Sequence, residues 1–298
     1  MQTMPNKKKP ILDYVETEIT EFCNLNCKGC CDYSNIAREK TFYELDEFTR
    51  DFRRLAELFS GVDKIRLMGG EPLLNPRLTE YVQTAREIFP HADLRIVTNG
   101  LLIPKLSDEA LRVIRENDCL FDISNYPPTR KAFPGIKKRL EETGVGYDLG
   151  FPMNYFVRSI REHPLDDPGP AFRNCIFTHC HMLGHGKLAP CSYAYCIGRL
   201  NREYGLSFPE NDYIDLYADV SGEEIIRRFN RPHEFCKCCG RGFVPYRWQG
   251  GVRHAVDGKY DWLIKDSFLN STVAPAIQTV LKTPAKLLRK EIQKRSRK

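Results

Sequence analysis

The sequence predicts an α/β protein built on a parallel sheet, followed by a small cysteine-rich domain. The sheet is expected either as an open doubly wound sheet or as a full or partial β/α barrel. Three observations carry this. Strand-like and helix-like segments alternate from about residue 11 to residue 160, the pattern of parallel strands joined by helical crossovers. The alternation stops at HPLDDPGP, residues 163–170, a proline- and glycine-rich stretch suited to a boundary. Beyond it apolar periodicity is sparse and cysteines are frequent, as in a domain held by something other than a large core.

Residues 11–19, ILDYVETEI, are β-branched and aromatic with partial alternation, which predicts a strand. After a cysteine-rich loop, Leu45, Phe48, Phe52, Leu55 and Phe59 recur at helical spacing. KIRLMGG predicts a short strand closed by glycines. Asn75 is then expected to cap a helix with Pro76 at its first position. LRIVTNG is strand and turn, and Ser107 opens a helix with Asp108 and Glu109 in its first turn. CLFDIS is a strand, KAFPGIKKRLEET a helix, and VGYDLGF another strand. In such folds function sits at the C-terminal ends of the strands, where the cysteine loop, GGEP, TNG and SNYP all fall.

The 298 residues suffice for a sizeable core. With 42% hydrophobic and 28% charged residues, the composition is that of a globular protein and not of a disordered one. No apolar run is long enough to cross a membrane as a helix. The opening MQTMPNKKKP has no apolar stretch behind its lysines, so a secretory signal is not expected. Twelve cysteines without an export signal are therefore expected in reducing cytosol, where clustered thiols bind metal or do redox work. From Lys282 to Lys298 the only acid among the basic residues is Glu291, so the +6 formal charge is concentrated there. Overall charge thus gives no reason to expect a nucleic-acid partner.

Cys23, Cys27 and Cys30 stand in CNLNCKGCC with the spacing C-x3-C-x2-C. Structural zinc sites usually pair two C-x2-C knuckles or add histidines. Three local thiolates suit three irons of a [4Fe–4S] cube and leave the fourth open to a ligand. ITEFCNLNCKGC resembles the signature loop of the radical S-adenosylmethionine superfamily, and MGGEP at 68–72 resembles its glycine-rich motif. The resemblance covers roughly residues 11–160 and implies a partial (β/α)6 barrel. It also implies that S-adenosylmethionine chelates the open iron and is cleaved reductively to a 5′-deoxyadenosyl radical, which abstracts hydrogen from a C–H bond. On this resemblance Gly69 and Gly70 approach the ligand's amino group and Glu71 pairs with a positive charge. Thr98, Asn99, Ser124 and Asn125 offer hydrogen bonds to a ribose, although turn chemistry accounts for TNG and SNYP equally well. The position before the third cysteine, usually aromatic and near the adenine, is Gly29 here. Tyr33 is the candidate replacement. Cys31 is expected as a buried small residue.

Seven cysteines follow: Cys175, Cys180, Cys191, Cys196, Cys236, Cys238 and Cys239. GKLAPC has the form G-x4-C, and FCKCCG holds a C-x2-C pair. With Cys175 upstream they resemble the twitch auxiliary-cluster domain, a shortened form of the SPASM domain. The resemblance implies one auxiliary [4Fe–4S] cluster held by Cys175, Cys191, Cys236 and Cys239. Cys180 or Cys238 could replace a neighbour, and a structural zinc on the same thiolates is the alternative. His179, His181 and His185 are expected at the surface or in hydrogen bonds and not as ligands. The implied plan is a barrel core at 11–165, an auxiliary domain at 170–262 and a basic helical or disordered tail at 270–298.

The function implied is a radical oxidoreductase that oxidises or epimerises a carbohydrate or polyol, with the auxiliary cluster taking the electron left on the substrate. The late cysteine spacing is similar to that of radical aminocyclitol dehydrogenases, and Arg158 stands where their substrate-contacting arginine does. On that resemblance it holds a hydroxyl or alkoxide electrostatically, since guanidinium stays charged; a surface arginine is the alternative. For epimerisation, Cys119 or Cys196 could donate the returning hydrogen. Modification of a ribosomally made peptide is the second reading, weakened because only about ten residues precede the first strand and leave no winged peptide-binding domain. A non-catalytic, zinc-stabilised binding protein is the third. A flavodoxin- or ferredoxin-type electron donor is the expected partner. The expected location is the cytoplasm; the tail, with Val280, Leu287, Leu288 and Ile292 among its basic residues, is expected as a solvated segment, with a helix in peripheral contact at the inner membrane face as the alternative.

Overall fold

The computed structural model describes residues 9–251 and 257–265. The basic tail and its expected membrane contact lie outside the described residues. Four β/α units follow one another: β1 (Ile11–Thr20) with α1 (Leu45–Leu58), β2 (Gly61–Gly69) with α2 (Leu78–Ile88), β3 (Asp93–Thr98) with α3 (Asp108–Glu116), and β4 (Cys119–Ile123) with α4 (Pro127–Thr143). β5 (Tyr147–Leu149) completes the series. Next come β6 (Tyr155–Arg161), α5 (Gly169–Asn174), the hairpin β7 (Met182–Gly184) and β8 (Lys187–Ala189), α6 (Ser192–Tyr204), β9 (Ile214–Asp215), α7 (Gly222–Phe229), β10 (Cys239–Arg247) and β11 (Leu263–Ile264).

The main sheet has the order β5-β4-β3-β2-β1-β7-β8-β9. Its first six members in that order all run parallel to one another. The helices resolve the choice between a doubly wound sheet and a barrel. Phe48, Phe52 and Leu55 of α1, Tyr81 and Val82 of α2, Leu111 and Ile114 of α3, and Ile136 and Leu140 of α4 join one core with Val15, Ile19, Ile65, Leu67, Ile96 and Phe121. All four helices therefore cover one face of the strands, as in a partial barrel, and the other face is left as the lumen. Cysteine-rich sequence supplies the sixth parallel strand. β7 pairs with β1, so the boundary expected near 165–170 runs through a continuous sheet. A second sheet, β10-β6-β11, lies apart from the first.

Local chemistry explains the starts of the elements. Ser107 accepts a hydrogen bond from the Ala110 N–H and caps α3, with Asp108 and Glu109 in the first turn. Asn75 acts differently from the expected helix cap. It ends a short 3₁₀ turn, Pro72–Leu74; its Oδ1 accepts from the Arg77 N–H, and its amide donates to the Ile19 carbonyl, so α2 begins only at Leu78. The β7–β8 turn, His185-Gly186, has positive φ at both residues, the geometry of the tightest hairpins.

Candidate functional site

The loop after β1 carries Cys23, Cys27 and Cys30 to the C-terminal mouth of the barrel. Cys23 and Cys27 are buried in one apolar cluster, against which Cys30, Leu101, Tyr126, Phe156 and Trp248 pack. The Leu25 N–H points at the Cys23 sulfur at 3.4 Å, and Trp248 Nε1 points at the Cys27 sulfur at 3.3 Å. Burial pushes the Cys23 thiol up to about 12, whereas a hydrogen bond from Cys31 brings Cys30 down to about 6. Among the described residues, these three sulfurs do not form a group within 4.8 Å of one another. A tetrahedral zinc with bonds of about 2.3 Å would hold thiolates roughly 3.8 Å apart. The three sulfurs are therefore not gathered around a single four-coordinate ion.

GGEP locks this loop in place. Gly70 and Glu71 donate their N–H groups to the carbonyls of Thr20 and Phe22 at 2.8 and 2.9 Å. A β-carbon on Gly69, where φ is +138°, or on Gly70 would strike those same carbonyl oxygens. Among the described residues no basic side chain pairs with Glu71. Its buried carboxylate accepts from the Thr98 hydroxyl at 2.6 Å, the Asn99 N–H at 2.9 Å and the Leu73 N–H at 3.1 Å. Thr98 and Asn99 are thereby drawn into the scaffold; the Asn99 amide also donates to Asn24 in the cysteine loop. Ser124 is half-buried, its N–H donating to the Thr98 carbonyl. Asn125 donates to the Gly150 carbonyl, and its buried Oδ1 has no hydrogen-bond partner, leaving one acceptor at the strand ends.

Gly29 is explained by what sits against it. Its φ is +61°, and a β-carbon would collide with the Tyr246 hydroxyl and the Asp261 carbonyl. Tyr246, from β10, donates to the carbonyls of Lys28 and Gly29. The aromatic ring missing from the loop thus arrives from the second sheet. Tyr33 cannot take the role expected of it. It is fully buried, wedged between Tyr193 and Trp262 beneath the loop. Arg158, on β6, lies 4.4 Å over the Tyr246 ring and donates to the Asp261 carbonyl.

Cys175, Cys191, Cys236 and Cys239 line a single cavity with Phe172 and Phe177. Backbone N–H groups of Phe177, Ala194 and His233 point at the sulfurs of Cys175, Cys191 and Cys236 at 3.2–3.5 Å. Burial and mutual proximity push the Cys191 and Cys239 thiols up, so a cationic centre would be needed to hold them as thiolates. As at the first loop, among the described residues these sulfurs do not gather within 4.8 Å. Neither possible replacement lines the chamber. Cys238 is buried in the core beneath the first loop, and Cys180 has Glu16 and Arg66 among its electrostatic neighbours.

The lumen face is charged. Tyr14, Glu16 and Glu18 alternate with Val15, Thr17 and Ile19 along β1. Tyr14 donates to Glu16, and Arg66 bridges Glu16 and Asp122. Nearer the cysteine loop Arg199 pairs with Glu18 at 2.5 Å and Glu21 at 3.0 Å, and donates to the Asp32 carbonyl. Cys196 lies beside Glu18, sulfur to oxygen 3.9 Å. Cys119 lies in the core under the helices, away from the lumen, and cannot serve as a hydrogen donor there.

Residues 17–125 match the model of the Radical SAM superfamily. These residues form a radical SAM domain. Among its relatives, the GTP 3′,8-cyclase of Sulfurovum sp. (strain NBC37-1) is 27% identical over 77% of this chain and 76% of that protein. The enzyme of the same name from Alkaliphilus oremlandii (strain OhILAs) is 35% identical over 34% of this chain, and the match spans only 31% of that relative. A crystal structure of BtrN in complex with AdoMet and 2-DOIA covers 76% of this chain and 83% of its own, with 17% identity and a TM-score of 0.44.

A radical SAM domain calls for a [4Fe–4S] cluster and S-adenosylmethionine. Several residues around that site escape a reading of motifs. Trp248, Tyr246 and Trp262 come from the far end of the described chain, and Trp262 Nε1 donates to the Cys30 carbonyl at 2.8 Å. Glu16, Glu18 and Arg66 did carry a signal: Glu16 and Glu18 alternate with buried Val15, Thr17 and Ile19, and Arg66 stands between Ile65 and Leu67 of the core. Among the described residues no helix is long and apolar enough to cross a membrane.

Proposed function

We propose that this chain is a radical SAM enzyme that oxidises, or in a near variant epimerises, a carbohydrate or polyol at a C–H bond. In this reading Cys23, Cys27 and Cys30 hold the cluster that binds S-adenosylmethionine, and Cys175, Cys191, Cys236 and Cys239 hold a second cluster. When bound, the first cluster and S-adenosylmethionine supply a 5′-deoxyadenosyl radical, and the second supplies an electron acceptor. The chain's own residues bind, orient and shield. Gly69, Gly70 and the strand-end groups of Thr98, Asn99, Ser124 and Asn125 shape the S-adenosylmethionine pocket. Arg158 stands on β6 next to Ser159, which lines the cysteine chamber, and holds the substrate oxygen electrostatically. A flavodoxin- or ferredoxin-type donor reduces the first cluster.

The observation that supports a hydroxyl-rich substrate is the lumen. Glu16, Glu18, Asp122, Arg66 and Arg199 give it donors and acceptors of both signs, with the cysteine loop above. The same balance disfavours a nucleoside triphosphate, the substrate class in the names of the cyclase relatives. Arg66 and Arg199 each already face two carboxylates, so neither brings surplus positive charge for phosphates. Cys196 beside Glu18 keeps epimerisation as the variant.

Anaerobic reconstitution tests this. Loaded protein is expected to carry about eight irons and, with dithionite, to release 5′-deoxyadenosine from S-adenosylmethionine. Replacing Cys23, Cys27 and Cys30 by alanine should abolish release. Cys191→Ser should preserve release and stop substrate turnover. A preparation holding zinc and no iron would end the proposal.

A further inference from the structure

We propose that Asp13, His179 and His181 form a third metal site, for a zinc-class divalent cation, on the outer flank of the sheet where β1 meets the segment entering β7. The site is remote from the radical chemistry. Asp13 is the third residue of β1, and the cysteine loop begins only after Thr20, some seven residues or about 23 Å along the strand.

Strand geometry brings the three side chains together. The Glu16 N–H donates to the His181 carbonyl at 2.7 Å, and Glu16 is in register with Met182. His179 sits in the turn closed by the Cys180 N–H on the Phe177 carbonyl at 3.0 Å, and this turn brings its ring to the same carboxylate as His181. Asp13 shares its face with Val15 and Ile19, the side the helices cover. Each carboxylate oxygen meets one imidazole: Asp13 Oδ2 lies 3.3 Å from His179 Nδ1, and Oδ1 lies 4.0 Å from His181 Nε2. The three ligand atoms all fall within 4.8 Å of one another. Four-coordinate zinc with bonds of about 2.0–2.1 Å spaces its ligands roughly 3.4 Å apart. A small adjustment of His181 closes the set, and the 4.0 Å gap is too long for a hydrogen bond.

The pocket is half built. His181 is buried with its ring stacked on Phe229 at 4.2 Å, which fixes its direction. Asp13 and His179 are each more than half exposed, which leaves room for an ion to enter and for water to complete its shell. Two imidazoles and one carboxylate favour zinc, nickel or cobalt over calcium and magnesium, which prefer oxygen. His179 follows Cys175 by four residues, so an ion here would pin the segment that delivers Cys175 to its chamber.

The test uses the full, untagged chain with both cysteine sets loaded with iron and free metal removed. Calorimetric titration with Zn²⁺ is expected to show one equivalent per chain, unaffected by excess Mg²⁺. His179→Ala, at an exposed position, and Asp13→Asn should each weaken binding at least about tenfold while iron content stays the same. Failure of the loaded wild type to take up zinc would overturn the site, as would wild-type affinity in either variant or competition by Mg²⁺.

Discussion

At Glu71 a motif residue acts through the scaffold. Burial raises its carboxyl to about 7, against three hydrogen bonds from Thr98, Asn99 and Leu73 that favour the charged form. The folded protein therefore keeps this proton to a higher pH than the unfolded chain, in which glutamate titrates near 4.3. Its contribution to stability is complete below about pH 4.3 and is lost as pH rises through about 7. Glu71→Gln cannot ionise. Its melting temperature relative to wild type should climb between about pH 5 and pH 8, a change on the order of 3 kcal/mol. A constant difference across that range would contradict the assignment. Gly69 and Gly70 belong to the same scale. Their motif was legible in the sequence, but the reason for it, close approach to the Thr20 and Phe22 carbonyls, appears only when the loop and β2 lie side by side.

Between elements, the decisive contact is the cysteine loop against β10. Tyr246 caps the carbonyls of Lys28 and Gly29, and Trp248 points at the Cys27 sulfur. Gly29→Ala would introduce left-handed strain and push into Tyr246, together costing about 2 kcal/mol or more. We expect this variant to melt earlier and to retain less iron at the first loop, measured in a background where Cys191 and Cys239 are replaced. Normal iron content there would show that the contact is dispensable. Helix and strand positions in the first half were readable because each carries its own periodicity, as in Leu45–Phe59, and its own cap, as at Ser107. β6 and β7 were not, since short strands without alternation have no local signal.

The whole molecule is tied together beneath the cysteine loop. Tyr33, Tyr193, Cys196, Ile197, Phe235, Trp262 and Leu263 form one core that joins the loop, α6 and the second sheet. Trp262 packs on Tyr33 and donates to the Cys30 carbonyl. Trp262→Ala should cost about 3–5 kcal/mol and lower iron uptake at both cysteine sets together. Loss at only one set would mean that the two halves fold independently.

From the chain alone came the α/β class, the cysteine triad with its GGEP partner, and the four late cysteines. The class rests on periodicity and the cysteine sets on a resemblance of motif and spacing, signals that survive in one dimension. Folding alone assigned β7 to the barrel edge, placed Cys196 beside the lumen and Cys119 outside it, and set Tyr246 and Trp248 over a loop more than 200 residues earlier. Those outcomes depend on which surfaces bury each other, and no local pattern records a contact between segments so distant in sequence.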